Sequence, residues 1–104
     1  MIAEKEVERA VNWLAASAEK AAQATAERQY MAEYRKVLKA QIMREHDDKP
    51  LVAQEREAYA DGRYVEHLEA LREAIQRDEK LRWLKTAAET KVSAWQSQCR
   101  MVKP

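Results

Sequence analysis

The sequence predicts an all-α protein, and three observations support this prediction. The 104 residues include only one Gly and two Pro, the two residue types that most strongly interrupt helices. Hydrophobic residues make up 46% of the chain and charged residues 36%, so a folded core is possible despite the high charge. Apolar residues also recur with the spacing of one face of a helix. We therefore expect a single domain, residues 1–104, built of long helices.

Two short segments divide the chain into three predicted helices. HDDKP at 46–50 contains the first internal proline, and the residue before a proline is biased out of helical geometry. ADG at 60–62 contains the only glycine, which suits a left-handed helix end, while Asp61 suits the start of the next helix. The predicted helices span about 3–46, 50–60 and 63–101. The two long helices are expected to form an antiparallel hairpin with the short helix at its turn.

The charge distribution favours this hairpin. Residues 1–27 carry three basic and five acidic groups, and they would face residues 80–104, which carry six basic groups and one acidic group. Residues 28–49 carry six basic and four acidic groups, and they would face residues 50–79, which carry four basic and eight acidic groups. Exposed ion pairs are weak, so the pattern favours an orientation more than it adds stability.

The apolar stripe of each long helix rotates abruptly, near residues 25–30 in the first helix and 76–80 in the third. Before its switch, the stripe of the first helix that should be buried is Val7, Val11, Leu14, Ala18, Ala21 and Thr25. An antiparallel hairpin places these switches at one level, so we expect two cores. The core nearest the turn, residues 30–75, would be covered by Leu51, Val52 and Tyr59 of the short helix. The other end has too few apolar partners in one chain, so we expect a homodimer with a four-helix arrangement there. The alternative is a kink near 25–30 with all packing inside one chain.

One face of the third helix carries no charge, although a solvated helix face normally does. Small residues allow another backbone to approach closely, and Trp is a frequent interface anchor. Six residues with heptad spacing form this uncharged face. We call them the uncharged seam: Trp83, Ala87, Thr90, Ala94, Ser97 and Met101. It predicts a protein-binding surface; the alternative is packing within the chain, against the short helix or Trp13. Trp95 shares a different stripe with Leu84 and Ala88, which predicts a core position.

Basic residues beside the seam indicate a second possible partner, nucleic acid. A phosphate backbone would be contacted by a flank of four residues: Arg82, Lys85, Arg100 and Lys103. The net charge of only +1 and the absence of a DNA-reading motif favour a protein partner instead.

The sequence contains no pattern typical of catalysis, a cofactor or a metal. His46 and His67 lack the spacing of metal ligands, and Cys99 lies on an apolar stripe, which predicts a buried thiol and not a nucleophile. A single cysteine forms no intrachain disulfide, and no apolar run reaches the roughly 18 residues of a spanning helix. We therefore expect a non-enzymatic cytoplasmic protein, with no signal peptide, cofactor, metal or membrane partner.

Three segments resemble small helical proteins encoded by tailed phages and prophages: EYRKVLKAQIMREH (33–46), QEREAYADGRYVEHLEALREAI (54–75) and RWLKTAAETKVSAWQSQ (82–98). The resemblance covers about half of the chain, and it implies early gene clusters with recombination or replication functions. It implies no site residue. The predicted function is that of a phage-type accessory protein, which modulates a recombination protein or inhibits a host nuclease or defence complex. Alternatives are a nucleic-acid-binding recombination accessory protein and a structural or assembly factor.

Overall fold

A computed structural model describes residues 1–102 and is all-helical over that range, which confirms the predicted fold class. Helix α1 spans Glu4–Arg44, α2 spans Leu51–Ala60 and α3 spans Gly62–Val102. The two long helices are arranged like a hairpin, with the short helix between them. Helix α1 is continuous through residues 25–30, so the helix has no break there, and packing of all apolar residues within one chain stays a prediction. Every predicted helix boundary lies within two residues of the observed one.

The helix ends follow local chemistry. Acidic Glu4 and Glu6 occupy the first turn of α1 and basic Arg44 the last turn, which complements the helix dipole. Pro50, with φ −59° and ψ 154°, is the residue before α2 and not its first residue as predicted. The side-chain amide of Gln54 donates to the Lys49 carbonyl at 2.8 Å, which ties the start of α2 to the preceding turn.

A single residue, Asp61, separates α2 from α3. It is extended, with φ −68° and ψ 135°, and its Oδ1 accepts the backbone N–H of Arg63 at 2.8 Å. Asp61 therefore caps α3 as predicted. The predicted left-handed conformation of Gly62 is wrong: Gly62 is the first residue of α3 and its φ is not positive. The extended Asp61 makes the corner instead.

The described chain forms two compact units. Met1–Gln23 and α3 from Asp78 onwards form one, which we call the end unit. Ala24–Arg77 form the other, which we call the turn unit. The division lies beside residues 25–30 and 76–80, where the sequence predicts the change between the two halves. The turn unit contains a buried cluster, as predicted, and a separate core in the end unit stays a prediction.

The core of the turn unit is small. Ile42 and Ala58 are fully buried and Tyr64 is 6% exposed, with Leu38 and Met43 packed against them. The prediction that α2 covers this core is wrong for Leu51 and Val52, which are 65% and 70% exposed. It holds for Tyr59, whose ring packs edge-on against core residue Tyr64 with 5.4 Å between the ring centroids. Helix α2 packs through Ala58, whose small side chain lets the helix approach closely.

The buried positions of the long helices recur at alternating steps of three and four residues. In α1 they include Val7, Ala10, Leu14, Ser17, Ala21, Ala24, Arg28, Met31, Leu38 and Ile42, all buried or half-buried. In α3 they include Tyr64, His67, Leu71, Ala74, Asp78, Leu81, Ala88, Val92, Trp95 and Cys99. These steps form a heptad pattern, and a stripe of residues with heptad spacing shifts around a helix by only about 20° per heptad. The predicted abrupt rotation of the apolar faces is therefore wrong.

Candidate protein-binding surface

The end unit pairs α1 and α3 in antiparallel register. The Ile2 N–H donates to Gln98 Oε1 at 2.9 Å, and Gln98 Nε2 donates to the Ile2 carbonyl at 3.1 Å. On the inner side of α3, Leu81 and Ala88 are buried, while Trp95 and Cys99 are half-buried. The Trp95 side chain thus belongs to the inner side as predicted, but a fully buried Cys99 is not observed.

All six residues of the uncharged seam are exposed. Trp83 is 72% exposed and Met101 is 87% exposed, so no part of the described chain covers either end of the seam. At 100° per residue, the seam lies about 160° around α3 from Leu81 and Ala88, on the side facing away from α1. The alternative prediction, in which Trp83 packs against α2 or Trp13, is wrong.

The seam is less polar than its residue types suggest. Thr90 Oγ1 donates to the Thr86 carbonyl at 2.7 Å, which satisfies the hydroxyl within the helix. A partner therefore need not supply a hydrogen bond to this group, and the methyl group of Thr90 is available for packing.

A groove of about 250 Å³ lies between α1 and α3 and meets the seam at Ala87. We call it the first groove; its lining is Glu6, Arg9, Ala10, Trp13, Leu84, Ala87, Ala88 and Lys91. Leu84 is 43% exposed, so its predicted place in the core is wrong. Half-buried Trp13 and exposed Leu84 extend the apolar surface of the seam towards α1.

A second groove, of about 240 Å³, is lined by Trp13, Leu14, Ser17, Ala18, Ala21, Leu81 and Lys85. It adjoins an uncharged surface of α1 that sequence reasoning missed. We call this surface the α1 face: Val11, Ala15, Ala18 and Ala22, all exposed. Val11 and Ala18 were assigned to the buried stripe, yet Val11 is 48% exposed. The signal that could have revealed the face is the 4–3–4 spacing of these four residues, which matches that of the seam.

The basic residues predicted to contact nucleic acid lie in different surroundings. Arg82 is exposed, but its Nε lies 3.6 Å from a carboxylate oxygen of Asp78, which is only 1% exposed. Lys85 lines the second groove and Arg100 is exposed near the end of α3. Lys103 lies outside the described residues. A pairing of Asp78 with Arg28, expected from their positions, stays a prediction.

The strongest electrostatic cluster lies at the corner of the turn unit. The Arg63 guanidinium donates to both Glu45 oxygens at 2.9 and 3.0 Å, and to both Asp61 oxygens at 3.0 Å. These hydrogen bonds lower the pKa of Asp61 to about 2, lower the pKa of Glu45 and raise the pKa of Arg63. Nearby, the Lys39 ammonium donates to the Tyr59 hydroxyl at 2.8 Å, and this bond raises the pKa of Lys39. The cluster holds the corner between α1, α2 and α3 through the contacts of Arg63 with Glu45 and Asp61.

The remaining candidates for chemistry have structural contacts. His67 Nε2 lies 2.7 Å from the Met31 carbonyl, so Nε2 carries the proton, and its ring lies 5.4 Å from that of Tyr34. Within residues 1–102, no group of three or more His, Cys, Asp or Glu side chains is placed to hold a metal ion.

Over the same range, no helix has the length and apolar character needed to cross a membrane. No family model matches the chain, and neither a curated protein nor a solved structure is significantly similar to it.

Proposed function

We propose that the protein acts without chemistry of its own, by binding another protein through the uncharged seam of α3. The observation that carries this proposal is the exposure of Trp83, 72%, at the head of six uncharged and exposed positions. Exposed Trp residues surrounded by small neighbours are typical of the anchors that dominate binding energy in protein interfaces. The first groove adds Trp13 and Leu84 to the same surface.

The surroundings of the seam define the partner's chemistry. Lys80, Lys91 and Arg100 are exposed around the seam, so the surface is apolar along its middle and basic at its edges. A complementary partner presents an amphipathic helix with a narrow apolar stripe and acidic edges.

The resemblance to phage and prophage proteins supplies the setting of this proposal. Within it, the protein is a phage-type accessory factor and its target is a protein of the bacterial host or of the phage. The proposed targets are a recombination protein, whose activity is modulated, or a host nuclease or defence complex, which is inhibited.

The test is capture of proteins from a nuclease-treated bacterial lysate, followed by identification and a binding measurement with the purified target. Trp83→Ala and Ala94→Glu should each abolish capture, since one removes the anchor and the other places a charge in the seam. Two matched controls, Tyr30→Ala and Ala40→Glu, change exposed positions of α1 outside the seam and should bind like the parent. Equal binding by all four variants would refute the proposal.

A further inference from the structure

The chain exposes far more surface than a compact monomer of its mass. Its accessible area is 8043 Å² for 12.1 kDa, whereas a compact monomer of that mass exposes about 6,000 Å². The excess is about 2,000 Å² per chain, and a standard interface covers only about 800 Å² on each partner. The open surface is therefore sufficient for two interfaces per chain.

The end unit provides two such surfaces, and they are complementary. The uncharged seam carries an exposed Trp83, and the α1 face adjoins the second groove, whose lining includes Trp13, Leu14 and Leu81. Both surfaces are uncharged and follow the same 4–3–4 spacing along a helix. Their edges differ in net sign. Exposed Glu4, Glu8 and Glu19 lie beside the α1 face with one base, Lys5, whereas the seam is bordered by Lys80, Arg82, Lys91 and Arg100 with one acid, Glu89.

We propose that the uncharged seam of one copy packs on the α1 face of a second copy, with Trp83 inserted in the second groove. The inference rests on the proposed function, because it names a partner for the same protein-binding seam. The groove is apolar except for Ser17 and Lys85, which suits an inserted Trp ring, and the acidic edge of the α1 face suits the basic edges of the seam. The same seam packed against itself would bring like charges together.

Charge also determines the direction of packing. With Trp83 placed beside Ala18, an antiparallel arrangement sets Thr90 opposite Val11 and Lys80 opposite Ala21, two residues from Glu19. At the other end of the seam, Arg100 falls opposite Met1, three residues from Glu4. A parallel arrangement places Lys80 beside Ala15, where no acid lies. Antiparallel packing therefore pairs opposite charges at both ends of the contact.

The two surfaces are different, so the contact is head-to-tail. Each copy presents a free seam and a free α1 face after one contact has formed, and a third copy can add to either. The assembly consequently grows with protein concentration and does not stop at a dimer.

The test is a capping experiment monitored by light scattering. The parent should grow beyond two copies with concentration, whereas Ala94→Glu, with a blocked seam, and Ala18→Glu, with a blocked α1 face, should each stay at 12.1 kDa. An equimolar mixture of the two variants should form a species of twice 12.1 kDa, or 24.2 kDa, because each retains the surface that the other lacks. Ala40→Glu should assemble like the parent, and Trp83→Ala should weaken assembly at least about thirtyfold.

The outcomes separate this inference from the proposed function. A parent that stays at 12.1 kDa up to high micromolar concentration overturns self-association, and capture of another protein through Trp83 remains to be judged on its own data. An Ala18→Glu variant that assembles like the parent, or a mixture that gives no dimer, overturns the assignment of the α1 face. If Trp83→Ala and Ala94→Glu alter neither self-association nor capture, the seam fails in both roles.

Discussion

Ile42→Ala should destabilise the turn unit strongly, because Ile42 is fully buried in a very small core. The substitution removes three carbon atoms, and each buried methylene contributes about 0.8 kcal/mol, so the transfer cost is about 2.4 kcal/mol. The cavity left beside Ala58 and Tyr64 adds to this, which brings the expected loss to about 3–4 kcal/mol, within the range of large-to-alanine changes in cores. A loss of that size is a large part of the about 5–15 kcal/mol that holds a typical domain together.

The measurement is the free energy of unfolding in urea, followed by the helical circular dichroism signal. Ile42→Val should cost about 1 kcal/mol, and Val37→Ala, at a position 48% exposed, should cost clearly less than Ile42→Ala. The reasoning is refuted if Ile42→Ala and Val37→Ala lose the same stability, since burial of Ile42 would then not matter.

Three further predictions concern the corner and the seam. Gly62→Ala should stabilise the protein by about 0.4–1 kcal/mol, because the φ of Gly62 is not positive and a Cβ there meets no atom within 4 Å. The free energy of unfolding in urea measures this effect, and a loss of stability would contradict the prediction. The pKa of Asp61 falls from an ordinary 3.8 to about 2 on folding, so the contribution of ionised Asp61 to stability is complete above pH 3.8 and is lost as the pH falls through about 2. Over this pH range, the melting temperature of Asp61→Asn should depend less on pH than that of the parent. Identical pH profiles of the two proteins would argue against the Arg63 contact. In a chain whose α1 face is blocked by Ala18→Glu, so that self-association does not contribute, Trp83→Ala should change the unfolding free energy by less than about 0.5 kcal/mol. A larger loss there would show that Trp83 is part of the fold.

The elements that sequence predicts well are those set by local chemistry. Pro50 and Asp61 end or start helices through their own backbone preferences, and the structure places the helix ends within two residues of the predicted positions. The antiparallel register followed from the short joint and the charge pattern, and the Ile2–Gln98 hydrogen bonds agree with it. These features need no knowledge of how the side chains pack.

Packing was predicted less well because large apolar residues were weighted above small ones. Val11 was assigned to the buried stripe, yet Val11 is 48% exposed and its neighbour Ala10 is 7% exposed. The same preference for alanine recurs at Ala24, Ala74 and Ala88, which are all buried. A single sequence does not reveal that two helices approach closely enough to bury methyl groups in place of larger side chains.

This use of buried alanine connects the fold to the proposed binding surfaces. With alanines at inner positions such as Ala10 and Ala88, the paired helices of the end unit bury only small side chains there, and a groove of about 250 Å³ stays open beside them. Val11, Leu84 and Trp83 are consequently left on the outside of the pair, where burial within one chain cannot satisfy them. A monomer selected only for stability would place such residues inward, because each buried side chain of this size contributes about 1.5–3 kcal/mol. Their outward positions are therefore the expected arrangement of a chain whose remaining apolar surface is covered by a partner.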